Sequence, residues 1–144
     1  MKRPGMNVNV KSWCPSLGPF GGMLVSHEET IAMADFYTVK EGDKVIYRPT
    51  CLFAYQACPD AYLSLLEILG SGNVTEVWKV KNDEIVSGSD EVGVLLYGHG
   101  KNAYWYGSQL NIHDARKRAM YNNATSLQVC ASVIAGMAWA IEHP

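Results

Sequence analysis

Charge is scarce in this sequence, and the patterns of charge that announce a function are missing. Charged residues make up 18% of the 144, against about 25% in an ordinary globular domain. There are 12 basic and 14 acidic residues, for a formal net charge of −2. The densest basic run is Arg116-Lys117-Arg118, so no basic face is available for nucleic acid. No G-x-G-x-x-G follows a strand, which leaves no dinucleotide-phosphate loop; Gly18, Gly21 and Gly22 lack that spacing. The four cysteines, Cys14, Cys51, Cys58 and Cys130, form no C-x-x-C. Cys51 and Cys58 have no His between them, so no metal site is expected. An N-terminal secretory segment is also lacking. The cysteines are therefore expected to be reduced and mostly buried in a cytoplasmic protein, and the sequons at Asn73 and Asn123 to be chance matches. The longest apolar stretch, near 125–141, falls short of the roughly 20 residues of a membrane span.

What is present is enough for a core. Hydrophobic residues are 48% of the chain, and its length is that of one ordinary domain. The first 25 residues are punctuated by Gly and Pro and read as irregular. Ser26 and Glu29 fit a capping box that opens a helix running to about Phe36, with Met33, Phe36 and Tyr37 on its inward face. The stretch 45–55 reads as a strand interrupted by Pro49. Pro59 and Asp60 open a second helix closed by Gly70, with Tyr62, Leu65, Leu66 and Leu69 on one stripe. Strands are expected at 74–80, at 92–97 as a buried run, and at 103–110. The last two form a hairpin with a longer connection, and a short charged helix covers 112–120. Thr125 and Gln128 match a second capping box, opening a helix over 125–141 that is apolar all round and so expected to be buried on every side. The irregular alternation of elements predicts an α+β fold, helices packed on a mostly antiparallel sheet.

Candidate chemistry is sparse. His27 and Glu29 stand at a helix start, where they suit general acid–base work or amine binding, although Glu29 can equally serve as a cap. Asp83, Glu84, Asp90 and Glu91 form an acidic segment that is either a solvated loop or a set of carboxylates facing a cation. Tyr104-Trp105-Tyr106 alternates across a strand, either as core packing or as an aromatic wall for an ammonium group. His99, His113 and His143 carry no functional pattern.

Several runs resemble bacterial homospermidine synthase, of the saccharopine-dehydrogenase-like group. They include Ser12-Trp13-Cys14-Pro15, Leu24-Val25-Ser26-His27-Glu28-Glu29, and Tyr47-Arg48-Pro49-Thr50 followed by Ala54-Tyr55. Asp90-Glu91-Val92-Gly93-Val94-Leu95-Leu96, the stretch 103–110, the stretch 122–129 and Trp139-Ala140-Ile141-Glu142 continue it, so that it covers nearly the whole chain. The resemblance implies an internal or C-terminal piece of the enzyme: 1–144 as a substrate-domain portion of a two-domain, dehydrogenase-like protein whose NAD domain is absent from this chain. It implies an oxidation of putrescine to an imine by NAD, attack by an amine of putrescine or spermidine with loss of ammonia, and reduction to homospermidine. The family's H-x-E falls on His27 and Glu29 as catalytic and amine-binding residues, while the NAD-binding residues of this chain stay unassigned. The sequence departs from the family at Tyr55-Gln56-Ala57-Cys58, where a Tyr-His-Pro-Cys is common. A homo-oligomer is expected, with the helix at 125–141 contacting the missing NAD domain or a second subunit, and no nucleic-acid or membrane partner. The alternatives are a related imine-reducing dehydrogenase of the carboxynorspermidine or saccharopine type, for which Arg48 would serve as a carboxylate clamp, and a non-catalytic polyamine-binding or assembly module.

With no phosphate loop of its own, the 144-residue chain is expected to bind NAD far more weakly than micromolar, about −8 kcal/mol. Calorimetric titration of the chain with NAD checks this, and a micromolar dissociation constant contradicts the reading.

Overall fold

A computed structural model describes residues 5–73, 76 and 83–144. The strand expected at 74–80 lies outside the described residues. Contacts group the chain into two compact units, Met1–Asn73 and Val74–Pro144.

The first unit is built on a three-stranded antiparallel sheet of Asn9–Cys14, Gly18–Val25 and Phe53–Tyr55, in that order. Strands β1 (Asn9–Cys14) and β2 (Gly18–Val25) form a hairpin, which replaces the expected irregular N-terminal region. The glycines there do not break the strand. Gly22 lies where a Cβ would come within 3.0 Å of the Ala54 side chain, so its lack of a side chain lets β5 (Phe53–Tyr55) approach.

Helix α1 (Glu28–Phe36) follows β2. Its N-cap is His27, not Ser26, and the expected capping box does not form. Pairing of Val25 with Phe53 keeps the chain extended through the end of β2, which delays the helix. The Thr30 hydroxyl and N–H both donate to the His27 carbonyl, at 2.6 and 3.2 Å. Of α1 only Ala34 is buried, and Phe36 and Tyr37, expected inward, are exposed.

The single strand expected over 45–55 is two strands in different sheets. β4 (Lys44–Tyr47) pairs with β3 (Val39–Glu41), whereas β5 joins β2. Pro49 lies in the break; it has no N–H to continue a ladder. Helix α2 (Pro59–Ser71) begins on Pro59 as expected, but Gly72 ends it instead of Gly70. Gly72 takes the left-handed conformation at φ 70° and donates its N–H to the Ile68 carbonyl, the C-terminal arrangement that glycine favours. The stripe of Tyr62, Leu66 and Leu69 is exposed.

The second unit is the hairpin β6 (Ser89–His99) and β7 (Asn102–Asn111) with helices α3 (Ile112–Arg118) and α4 (Ala124–Glu142). His99 pairs with Asn102, so the connection is a tight two-residue turn rather than a longer loop. The strand expected to be buried is open: Val92, Val94, Leu96 and Tyr97 are all exposed. Gly93 pairs with Gly107, and the Trp105 indole lies so close that a Cβ at either glycine would meet it. Ile112 and Ala115 of α3 are buried. Gln128 ties α4 to the hairpin, accepting from the Ser108 hydroxyl and donating to the Asp90 carboxylate at 3.2 Å.

Helix α4 departs most from expectation. It is not buried on every side: only Ala124 is buried, while Val133, Ile134, Met137, Trp139 and Ile141 are exposed. Apolarity around a helix predicts burial only where the chain supplies covering elements, and among the described residues it supplies few. At 19 residues it is also long and apolar enough by composition to cross a membrane, which removes the expected shortfall in length. Antiparallel sheets with helices nonetheless bear out the α+β class.

The N-cap of α4 is Asn123, whose side chain accepts from the Ser126 N–H at 2.8 Å. Thr125, expected at that position, sits exposed in the first turn. Asn123→Ala is expected to destabilise the chain by about 1 kcal/mol, a typical lost cap, and Thr125→Ala by less than about 0.5 kcal/mol. Urea unfolding of the two variants separates the assignments.

Candidate functional site

The two residues singled out at the start of α1 meet in space. His27 Nδ1 and a Glu29 carboxylate oxygen are in direct hydrogen-bond contact. A carboxylate only accepts, so Nδ1 is the protonated nitrogen of that contact. The pair is part-exposed, with side chains 43% and 65% accessible for His27 and Glu29. On its other constraint, the His27 imidazole lies flat on the Phe53 ring, centroids 4.5 Å apart and planes 10° from parallel. The β2–β5 register explains this, since Phe53 faces Val25, two residues before His27.

Electrostatics favours the charged carboxylate. The Glu29 pKa is held below its ordinary value, first by a hydrogen bond from its own backbone N–H and next by the His27 side chain. Glu29 is in the first turn of α1, where the positive end of the helix dipole also favours a carboxylate.

A cleft of about 230 Å³ opens on the same sheet, lined by Asn9, Gly21, Met23, Tyr55, Gln56, Ala57 and Tyr62. Phe53 and Tyr55 are two apart on β5 and so share a face, which sets a cleft wall beside the ring that carries His27. The lining has amide and phenol groups and no charged side chain. Sequence reasoning missed the cleft: Tyr62 read as a core position, Gln56 only as a departure, and nothing local marks Asn9. The glycine at position 21 was the available signal.

The remaining candidates are placed elsewhere. Asp83 and Glu84 are exposed. Asp90 is held by Gln128, and Glu91 accepts from the Gln109 amide on the opposite face of β6, so the four acids do not converge as one cluster. Trp105 packs over the glycine pair, and Tyr104 and Tyr106 are exposed. His99 accepts from the Lys101 N–H in the hairpin turn, and His143 stacks on Trp139. The Arg48 guanidinium is engaged by Asp35 at 2.6 Å, which removes it as a ready clamp for a substrate carboxylate. All four cysteines are free thiols, but only Cys14 is buried; Cys58 and Cys130 are exposed. No cluster of metal-ligating residues occurs among the described residues.

Comparison with known proteins gives a consistent answer. The chain is 54% identical to homospermidine synthase of Blastochloris viridis over 144 residues, 99% of this chain. It is 54% identical to the enzyme of that name from Mesorhizobium japonicum over its whole length. The crystal structure of a homospermidine synthase from Legionella pneumophila in complex with NAD superposes with a TM-score of 0.86 at 51% identity, covering 100% of this chain. The relationship is to homospermidine synthase. The chain spans about 30% of the length of these curated relatives and 32% of the Legionella chain. No family model matches it. Helix α4 falls within the matched region of the homospermidine synthase fold. Gly18, Gly21 and Gly22 are strand residues of β2, and packing against β5 accounts for Gly22.

Because its own backbone N–H is the larger cause, the lowered Glu29 midpoint should move only part of the way back in His27→Ala. The sign follows from the depression: the Glu29 contribution to stability is present above the unfolded-state midpoint and lost as pH falls through the lower folded one. Carboxyl-detected NMR titration of the chain and of His27→Ala checks the direction; a complete return to the ordinary carboxylate value would assign the whole shift to His27.

Proposed function

We propose that this chain is a substrate-handling segment of an NAD-dependent homospermidine synthase that joins putrescine to a second putrescine, or to spermidine, by aminobutyl transfer through imines. The observation that carries the reading is the contact between His27 and Glu29, within a segment similar to homospermidine synthase along its whole length. Substrates of this class are polycations whose amines must lose protons before they attack. The carboxylate of Glu29 suits an ammonium group by charge, and His27 suits the transfer of its proton. The cleft lined by Asn9, Tyr55, Gln56 and Tyr62 offers neutral acceptors for a chain of methylenes ending in an amine. NAD chemistry supplies and returns the hydride; residues outside this chain hold that cofactor.

The pairing of Arg48 with Asp35 argues against the carboxylated substrates of the carboxynorspermidine and saccharopine types. The exposed apolar side of α4 fits a helix that the rest of a longer polypeptide, or a second subunit, covers in an oligomer. The four free thiols fit the reducing cytoplasm.

The test is a chimera in which this chain replaces the matching segment of the Blastochloris viridis enzyme. Glu29→Gln keeps the shape and removes the charge. Turnover of putrescine in the chimera should fall by about 10²–10⁴, with the melting temperature nearly unchanged because no capping box depends on Glu29. His27→Ala should likewise cost more turnover than stability. Full turnover in both variants would remove the pair from the chemistry.

A further inference from the structure

We infer that Phe53 is a positioning residue for the proposed chemistry, and that Phe53 and Glu29 together fix Nε2 of His27 as the nitrogen that exchanges protons. The inference rests on the reading of His27 as the base. An imidazole ring at the end of two single bonds has two freedoms that matter: the orientation of its plane, and which edge faces a given partner. Phe53 sets the plane, because the two rings lie 10° from parallel at 4.5 Å. Glu29 sets the edge, because its carboxylate takes Nδ1 and accepts only from the N–H tautomer there. With plane and edge both set, the neutral ring carries its lone pair on Nε2.

Neither constraint suffices alone. A half-turn about the Cβ–Cγ bond leaves the ring in the same plane and still stacked, so Phe53 cannot choose an edge. A hydrogen bond between side chains 43% and 65% accessible competes with water, so Glu29 alone holds the ring loosely. Phe53 meets the need because β5 is anchored to β2: Phe53 pairs with Val25 and Tyr55 with Met23. The ring that carries His27 thus belongs to the strand whose next outward residue, Tyr55, lines the cleft. The base and the proposed amine site are registered to one another through a single strand.

The imidazole nitrogen shifts of His27 report the tautomer directly, in the 144-residue chain at a pH where the ring is neutral. The unmutated chain should show the Nδ1–H tautomer, with His27 ring protons shifted upfield by the Phe53 ring current. Phe53→Leu frees the ring plane on which the Glu29 contact depends and should reduce the preference for that tautomer, by at most about fivefold, the worth of one aromatic stack, and Phe53→Tyr should restore it. Glu29→Gln should reduce it as well. An unchanged tautomer ratio in Phe53→Leu, with the preference lost in Glu29→Gln, overturns the role of Phe53 and leaves the His27–Glu29 reading standing. A ratio unchanged in both variants sinks the pair itself. Should Phe53→Leu fail to fold, the absence of an upfield ring-current shift in the unmutated chain overturns the stack on its own.

Discussion

The proposed site hangs on strand β2, which is hydrogen-bonded along both edges, to β1 on one side and β5 on the other. The β5 edge is close because Gly22 has no side chain: a Cβ there would meet Ala54 at 3.0 Å and the Phe20 ring at 3.1 Å. That approach brings Phe53 level with Val25. Two residues later the chain turns into α1, and the turn lays His27 on the Phe53 ring. Glu29 then falls in the first helical turn, where both a backbone N–H and the imidazole stabilise its charge. Sheet register, helix start and carboxylate chemistry therefore share one origin. A side chain added at position 22 would press β5 away and disturb a histidine five residues downstream.

The second governing fact is a surplus of apolar side chains over interior. Among the described residues the buried hydrophobic ones are mostly alanine, with Cys14, Met23 and Ile112 the larger members. Leu63, Leu66 and Leu69 of α2, Val92, Val94, Leu96 and Tyr97 on β6, and most of α4 face outward. Each large apolar side chain left in water forgoes roughly 1.5–3 kcal/mol of burial, and a contiguous patch of this kind marks an interaction surface or an aggregation hazard. Segments that cover about 30% of a longer relative have this character when their natural cover belongs to the remainder. The low charge content points the same way, since an exterior meant for water carries more of it.

Much of the local structure was legible in the residues. The β6–β7 hairpin follows from two strand-like runs, 92–97 and 103–110, with a Gly-bearing connection between them, and α2 begins where Pro59 fixes the first turn. Legibility failed where a distant partner decided. The capping pattern at Ser26 and Glu29 is sound as a local signal, yet strand pairing runs up to Val25 and the backbone is still extended at His27. Thr125 and Gln128 match the same signal, but Gln128 is drawn off to Ser108 and Asp90, leaving Asn123 to cap. The stretch 45–55 has one β-rich composition and still divides between two sheets. The proposed pair, His27 and Glu29, stood out through spacing and family likeness, and the two side chains do meet. Phe53 did not, because a ring directly after a break in the strand gives no local sign of what it will touch.

Exposure sets the last condition on the chemistry. An imidazole–carboxylate contact open to water gains little, because solvent screens the charge and offers each group another partner. The same pair in a closed site is far stronger, since the effective dielectric falls as water leaves. On the proposed reading His27 and Glu29 await that change: their mutual contact, the aromatic support and the helix start are in place, while both side chains are open to water. The cleft has neutral acceptors but no carboxylate of its own, so the doubly charged amine of the proposal would need further negative groups from elsewhere. On the proposed reading, closure of a second surface over this one supplies both the exclusion of water and those groups. The apolar excess and the incomplete electrostatics then have a common explanation: this chain presents one wall of a site whose other wall lies in the longer protein.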